Sequence, residues 1–338
     1  MKIVVLAGGL SPERDVSLSS GSLVANALAE RGHQVLLADL YLGLPESFAF
    51  REAGSPEYGC AIPDAEPDLD ELKRRAGNGR SLMGRNIYRA CRACDVVFNA
   101  LHGGAGENGQ IQAFFDLTGI PYTGAGYEGC FLAMDKDLSK RLIRGEGVKT
   151  ADWVSCRTGE RDYPRVEGLL GYPCVVKPRD GGSSIGVSMV NNREELLLAW
   201  DQVKEPEILI EKKITGREFS VGILDNRVLP VIEIMPQEGF YNYRNKYQAG
   251  LTREVCPADL APELTRQLGE AALKVHRTLK LGSYSRIDFI LDGQDEFFCL
   301  EANTLPGMTP TSLIPQMAKA GGISYGEFCE TIVRLALS

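Results

Sequence analysis

Asp288, Glu301 and Asn303 are oxygen-bearing side chains set in two apolar runs, Tyr284 to Leu291 and Phe297 to Asn303, joined by Asp292-Gly-Gln-Asp. Read as neighbouring strands, the runs alternate their side chains between faces, so Glu301 and Asn303 share one face and the turn returns the chain beside Asp288. Oxygen donors without His or Cys suit a hard cation, magnesium, that keeps waters and shares itself with phosphates. Arg286, two residues before Asp288, adds a positive charge on the same face. The pattern predicts a metal site serving nucleotide chemistry. Its plainer alternative is a pair of strands with ordinary polar positions, and other segments must decide.

Lys177-Pro-Arg-Asp-Gly-Gly-Ser-Ser-Ile-Gly186 ends a strand in a lysine and opens into a turn of glycines and hydroxyls. Glycines let backbone N–H groups approach phosphate oxygens, Ser183 and Ser184 add donors, and Lys177 supplies a fixed charge. No Gly-x-x-x-x-Gly-Lys-Ser/Thr motif occurs, which argues against a P-loop fold. Ile208-Leu-Ile-Glu-Lys-Lys-Ile214 turns from apolar to polar at its end, the mixture an adenine pocket needs. Amides around Lys212 to Ile214 would pair with the adenine edge and Glu218 would accept ribose hydroxyls; alone, the segment is an ordinary solvated strand end.

Glu13, in Gly8-Gly-Leu-Ser-Pro-Glu-Arg-Asp-Val-Ser17, follows the first strand and precedes a helix, where open α/β sheets bind ligands. A carboxylate there can hold a substrate ammonium. Leu101-His-Gly-Gly-Ala-Gly-Glu-Asn-Gly109 brings His102 and glycines towards the same crevice, with His102 equally readable as a structural donor.

The elements that must position these residues follow from apolar periodicity. Strands at Ile3 to Leu6, Val35 to Leu37 and Val96 to Leu101 alternate with helices at Val16 to Arg31 and Arg85 to Ala93, an α/β pattern. Residues 43–84 are rich in Pro, Gly and charge and read as an excursion with one short helix near Asp68 to Arg75. A helix from Gly129 to Arg144 then opens a second unit with strands at Trp153 to Cys156, Cys174 to Lys177, Val187 to Val190 and Ile208 to Glu211, and a helix from Arg193 to Val203. A third unit carries strands at Phe219 to Leu224 and Val228 to Met235, a Tyr-rich loop, a helix from Pro262 to Leu279 and the metal strands.

Composition bounds the function. The chain has 338 residues, 44% of them hydrophobic and 24% charged, enough for two or three soluble domains. A formal net charge of -8 argues against broad binding to nucleic acid or anionic membrane. No run is long enough for a signal peptide or a membrane span, so a cytoplasmic protein is expected. Nine cysteines form no disulfide framework, and Cys91-Arg-Ala-Cys94 lacks the second pair a zinc site needs.

These blocks together resemble the D-alanine–D-alanine ligases of the ATP-grasp superfamily, through nearly the whole chain except residues 43–84. The resemblance rests on Gly8-Gly-x-Ser-x-Glu-Arg-x-Val-Ser-Leu18, His102-Gly-x-x-Gly-Glu, Pro121-Tyr-Thr-Gly124, Met134-Asp-Lys136, Lys177-Pro, Gly182-Ser-Ser-x-Gly186, Arg286-x-Asp288 and Glu301-Ala-Asn-Thr-x-Pro-Gly-Met-Thr309, in order. It implies an ATP-grasp fold, α+β in its ATP-binding part, behind an open parallel-sheet, Rossmann-like N-terminal domain, with units at 1–127, 128–214 and 215–338. It further implies ATP held by Lys136, Lys177, Ser183, Ser184, Glu211, Lys212, Lys213, Ile214 and Glu218, and two Mg2+ or Mn2+ ions on Asp288, Glu301 and Asn303. By the same carry-over Glu13 holds the first D-alanine, His102 and Arg286 lie near it, and Ser312 and Leu313 receive the second one's carboxylate. Arg286 and the Gly307 N–H stabilise the oxyanion, and Lys246 and Tyr247 sit on a closing loop, Phe240 to Tyr247, that Ser183 links to Glu13. A homodimer is implied as well. D-serine or D-lactate as second substrate is the nearest alternative. The lactate ligases place a histidine in that loop, and none occurs between His102 and His276. A silent nucleotide sensor is the alternative from another class, though every matched catalytic position is present. Asn108, where the family usually has aspartate, puts only local loop geometry in question.

Overall fold

The computed structural model describes residues 1–52, 54, 55, 57–59, 63, 67–182, 186–237 and 252–338. Three sheets carry the site. The first is parallel, with β1 (Lys2–Ala7) between β2 (Gln34–Asp39) and β3 (Val96–Asn99). Ile3 pairs with Val35 on one side and Val96 on the other. Ile3 to Ala7 are all buried, as a strand covered on both faces requires. Helix Arg14–Glu30 makes the crossover from β1 to β2, so the β1 loop that carries Glu13 opens at the carboxyl ends of the strands.

The second sheet is antiparallel, in the order β4 (Trp153–Arg157), β7 (Glu207–Lys212), β5 (Cys174–Pro178), β6 (Ser188–Val190). Helices Tyr163–Leu169 and Arg193–Gln202 close its own core around Val166, Val176, Leu196 and Trp200. The third sheet contains β8 (Gly216–Leu224), β9 (Arg227–Val228), β10 (Ile232–Pro236), β11 (Thr252–Val255), β12 (Tyr284–Asp292) and β13 (Phe297–Asn303). Its order is β11-β10-β8-β12-β13, with β9 hanging from β8. Helix Pro262–Thr278 packs Leu268, Ala272 and Val275 against Phe219, Val221, Ile287 and Phe289. Helices Leu313–Ala320 and Tyr325–Leu335 turn back to the front of the molecule. There Ile314, Met317, Phe328 and Val333 share one apolar cluster with Ile3, Val24 and Phe98, so the last helices and the first sheet have a common core.

Several expectations need correction. The helix expected over Gly129 to Arg144 is two helices, Tyr127–Met134 and Lys136–Gly145. Asp135 between them is extended, at φ -78° and ψ 98°, and its carboxylate caps the second helix by accepting from the Asp137 and Leu138 N–H groups. The strand expected over Val228 to Met235 is interrupted between β9 and β10, where Pro230 has no N–H to give a ladder. Helices Gln110–Thr118, Tyr163–Leu169, Leu313–Ala320 and Tyr325–Leu335, and strand β11, were not anticipated.

Within 43–84 the expected helix is present as Leu69–Ala76, capped by Asp68 and closed by Gly77 at φ 62°. Tyr58 exchanges two hydrogen bonds with Asn26 and receives the Arg51 guanidinium over its ring, which ties part of the excursion to the first layer. Burial pushes the thiols of Cys91 and Cys94 up to about 12 and about 11, as small packed groups behave, and the Cys94 thiol donates to the Cys91 carbonyl. Among the described residues no helix is long and apolar enough to cross a membrane.

Candidate active site

β12 and β13 pair as the expected neighbouring strands, with Asp288 facing Glu301 and Arg286 facing Asn303. A bulge separates these pairs from the turn: Phe289 faces Cys299, so Leu300 is the extra residue on β13, and this one-residue shift is what sets Glu301 rather than Leu300 opposite Asp288. The buried Asp288 carboxylate is densely held. Ser220 Oγ of β8 donates to Oδ1 at 2.5 Å, Arg286 donates to both oxygens at 2.9 and 2.8 Å, and Asn303 Nδ2 donates to Oδ2 at 3.0 Å. A cation here would meet two carboxylates and one amide oxygen, a set that fits a hard divalent ion once it displaces Arg286 from Asp288. Asn303 turns its NH2 towards Asp288, which leaves its oxygen to coordinate. Ser220, invisible as a site residue in the sequence, is placed by its register opposite Asp288 on β8.

Behind this hairpin a cleft lies between the two antiparallel sheets. Lys136, Lys177, Glu211, Lys212, Lys213, Ile214 and Glu218 line it together with Asp288 and Glu301, so every described ATP-binding expectation meets in one place. Ser183 and Ser184 lie outside the described residues; Gly181 and Gly182 just before them line the cleft, and Lys136 Nζ donates to the Gly181 carbonyl at 2.5 Å. Val175 and Lys177 on β5 stand opposite Glu211 and Leu209 on β7, which makes Lys177 and Glu211 diagonal neighbours on one face. They form an ion pair at 2.8 Å, and Glu211 takes a second ammonium, Lys140, at 2.8 Å from the helix Lys136–Gly145. Burial alone would raise the Glu211 carboxyl; Lys177 and Lys140 outweigh it and hold the group at about 2. The expected adenine-edge amides need a correction. The Lys212 and Lys213 N–H groups already donate to the Asp152 and Pro173 carbonyls, so of the three amides only that of Ile214 has no backbone acceptor among the described residues.

The charges around the cleft also matter. Lys136, Lys177, Lys212 and Lys213 stand against Asp180, Glu211, Glu218, Asp288 and Glu301. A triphosphate meeting more carboxylates than lysines needs positive charge of its own, which accompanying divalent cations supply.

The third part of the site is a cleft of about 440 Å³ in front of the hairpin, lined by Glu13, His102, Arg286, Gly307, Ser312 and Leu313. Elements from both ends of the chain build it. Glu13 sits at the N-cap position of helix Arg14–Glu30, with its N–H on Ser11 Oγ at 3.0 Å. Arg14 fixes the loop from behind by donating to the Gly9 carbonyl at 2.9 Å and pairing with Asp39 at 2.7 Å. His102 is buried, its Nδ1 3.1 Å from the Leu305 carbonyl and its Nε2 3.3 Å from Ser20 Oγ. That geometry assigns the proton to Nδ1, which donates to Leu305, while Nε2 accepts from Ser20. The histidine therefore ties the first layer to the Leu305-Pro-Gly turn.

Gly103 is obligatory beside it: φ is +71°, and a Cβ would stand 2.6 Å from Ser11 Oγ and 2.9 Å from Glu13 Oε2. A Cβ on Gly182 would lie 3.5 Å from that same Glu13 oxygen, so the start of the glycine-serine loop stands about a methyl group's width from Glu13. A side chain on Gly307 would meet Ser312 Oγ at 2.9 Å. Ser312 is the N-cap residue of helix Leu313–Ala320, its hydroxyl 2.8 Å from Thr309 Oγ1, and the helix presents its N–H groups to the cleft. Lys246 and Tyr247 lie outside the described residues, as does the whole expected closing loop. Glu107 and Glu254 also line this cleft and were not singled out in the sequence. Glu254 accepts from Gln316 Nε2 at 2.5 Å, an arrangement that needs the unanticipated β11 and the helix after Ser312.

Two antiparallel sheets gripping a lysine-lined cleft, fronted by a parallel α/β layer, define the ATP-grasp architecture. Comparisons narrow this. The "D-ala D-ala ligase N-terminus" family matches residues 2–125, and "D-ala D-ala ligase C-terminus" matches residues 142–334. A D-alanine–D-alanine ligase of Pediococcus pentosaceus is 40% identical, over 98% of this chain and 97% of its own. One from Geobacter sulfurreducens is 40% identical, over 98% and 93%. The crystal structure of the D-alanine–D-alanine ligase from Bacillus anthracis superposes with a TM-score of 0.79 at 31% identity, covering 100% of this chain and 97% of that one. The chain belongs to the D-alanine–D-alanine ligase family.

Proposed function

We propose that the protein is an ATP-dependent ligase that joins two D-alanines into D-alanyl-D-alanine for peptidoglycan synthesis. The observation that carries the reading is the single cleft in which Glu13, His102, Arg286, Gly307 and Ser312 surround one space, directly in front of the Asp288–Glu301 hairpin. The amino-acid chemistry fits each wall. Glu13 takes the ammonium of the first D-alanine, whose carboxylate attacks the γ-phosphate and displaces ADP to give an acylphosphate. The helix N-terminus at Ser312 and Leu313 takes the carboxylate of the second D-alanine. Its amine attacks the acyl carbon, Arg286 and the Gly307 N–H stabilise the tetrahedral oxyanion, and phosphate leaves.

Asp288, Glu301 and Asn303 would hold Mg2+ or Mn2+, two ions per site, which supply charge neutralisation on the phosphates. Lys136, Lys177 and the glycine-serine loop bind the triphosphate, with Lys246 and Tyr247 closing the site against water. We also read the chain as three units, 1–127, 128–214 and 215–338, acting as a cytoplasmic homodimer.

D-serine as the second substrate remains the alternative, because the VanG D-Ala:D-Ser ligase from Enterococcus faecalis superposes with a TM-score of 0.78 at 26% identity over 99% of both chains. One hydroxyl shifts selectivity only modestly in a small pocket. The deciding experiment measures phosphate release from ATP and Mg2+ with D-alanine alone, then with D-serine or D-lactate added, and identifies the product by mass. D-alanyl-D-alanine as the dominant product is expected. A mixed product favoured when D-serine is present would move the assignment to the second substrate, and no D-alanine-dependent turnover would overturn it.

A further inference from the structure

Lys140 is 2% exposed and lies behind the nucleotide cleft, whose walls do not include it. Its ammonium pairs with Glu211 Oε1 at 2.8 Å, donates to Thr150 Oγ1 at 2.6 Å and stands 5.0 Å from the centroid of the Trp153 ring. Thr150 Oγ1 accepts from Lys140 and donates its own hydrogen bond to the Cys299 carbonyl on β13 at 2.9 Å. Lys140 therefore joins the helix Lys136–Gly145, β7 and the strand that carries Glu301. Burying an ammonium is costly, and a chain that only needed packing here would be served by Met or Leu.

The charge arithmetic suggests what the ammonium does. Glu211 pairs with Lys177, the lysine that opens the glycine-serine loop, at 2.8 Å. Were Glu211 its private counter-ion, the pair would be neutral and the cleft floor would offer a triphosphate little. Burial pulls the Lys140 ammonium below its ordinary range, and Glu211 opposes the fall; protonated on the other oxygen, Lys140 shares the carboxylate with Lys177, and the triad carries one net positive charge whose cleft-facing ammonium is Lys177. We propose that Lys140 is a positioning residue for nucleotide binding: by engaging Glu211 from behind, it frees the charge of Lys177 for the phosphates. This rests on the reading that the cleft takes ATP with Lys177 towards its phosphates. It adds a buried residue that touches neither nucleotide nor metal.

The test compares Lys140→Met, Lys140→Arg and Lys177→Met by calorimetric titration with adenosine, ADP and MgATP, with melting temperatures measured alongside. For Lys140→Met the expected loss grows with phosphate number: adenosine affinity unchanged, MgATP affinity down roughly tenfold and KM for ATP up by the same factor, with kcat within about twofold. Lys140→Arg restores most of the MgATP affinity because it restores the charge. A merely structural lysine would weaken adenosine and ATP alike or lower only the melting temperature, and either result overturns the proposal. If Lys177→Met weakens MgATP while folded Lys140→Met does not, the role of Lys140 falls and the reading of the cleft stands. If neither variant changes MgATP binding, both fall.

Discussion

The two charged centres of the molecule are built in opposite ways. At the nucleotide floor, Glu211 is locked between Lys140 and Lys177 inside the core, and the charges are permanent parts of the fold. At the Asp288–Glu301 hairpin, Asp288 is equally crowded, yet two of its partners are themselves proposed site residues: Arg286 occupies the oxygens that a cation would use, and Asn303 donates through the end that leaves its carbonyl outward. In the proposed reaction Arg286 would hand over Asp288 to divalent ions that accompany the nucleotide, and its guanidinium would then be available to the reacting carbonyl. One centre is wired, and the other would exchange partners.

Variants can break or sharpen that contrast. The largest effect is expected for Asp288→Asn, which removes the charge that both Arg286 and a cation share; phosphate release should fall by roughly 10³-fold or more while the melting temperature stays within a few degrees. A large loss of stability instead would mean that this centre too is structural. Glu211→Gln should do the reverse in kind. It leaves two buried lysines facing each other, and chemical denaturation should show a loss of about 3–5 kcal/mol.

The same carboxyl gives a pH signature. Its folded value of about 2 lies below its ordinary 4.5, so the stability it contributes is fully present above about 4.5 and is lost as the pH falls towards about 2. Acid titration of the wild type by circular dichroism should show that slope, and Glu211→Gln should flatten it. Gly103→Ala, which strains a left-handed residue and crowds Glu13, should cost about 1–2 kcal/mol and raise KM for the first D-alanine more than KM for ATP. The smallest effect belongs to Tyr284→Phe. The hydroxyl is fully buried with no hydrogen-bond partner among the described residues, so its removal should leave stability unchanged or raise it by up to about 1 kcal/mol in thermal melts.

The sequence made the hairpin legible because a period of two puts Glu301 and Asn303 on one face and the turn returns the chain beside Asp288, but the register of that turn would set Asp288 opposite Leu300, and the bulge that shifts it to Glu301 has no local signal. Lys177 was legible from the glycine-serine turn that follows it, and Glu211 from the family resemblance. Lys140 was hidden because it lies four residues past Lys136 on a helix expected to run unbroken from Gly129, with nothing local to mark it as buried. Only the extended backbone at Asp135 sets that helix's direction and aims Lys140 at Glu211. Ser220 and Glu254 were hidden because their roles come from strands that are distant in sequence. The helices after Ser312 escaped notice because their apolar faces are answered by β1 and β3, in the first third of the chain.

That shared core has a practical side. Ile314 and Met317, on the helix proposed to receive the second amino acid, pack in the same cluster as Ile3 and Phe98, at the base of the layer that carries Glu13 and His102. Both proposed amino-acid subsites are therefore mounted on one body, whereas Lys177 stands on a sheet with a core of its own. An inhibitor that mimics the dipeptide would meet a receptor already assembled before any nucleotide binds. One that mimics ATP would have to bring two separately cored walls together, and part of its affinity would be spent doing so.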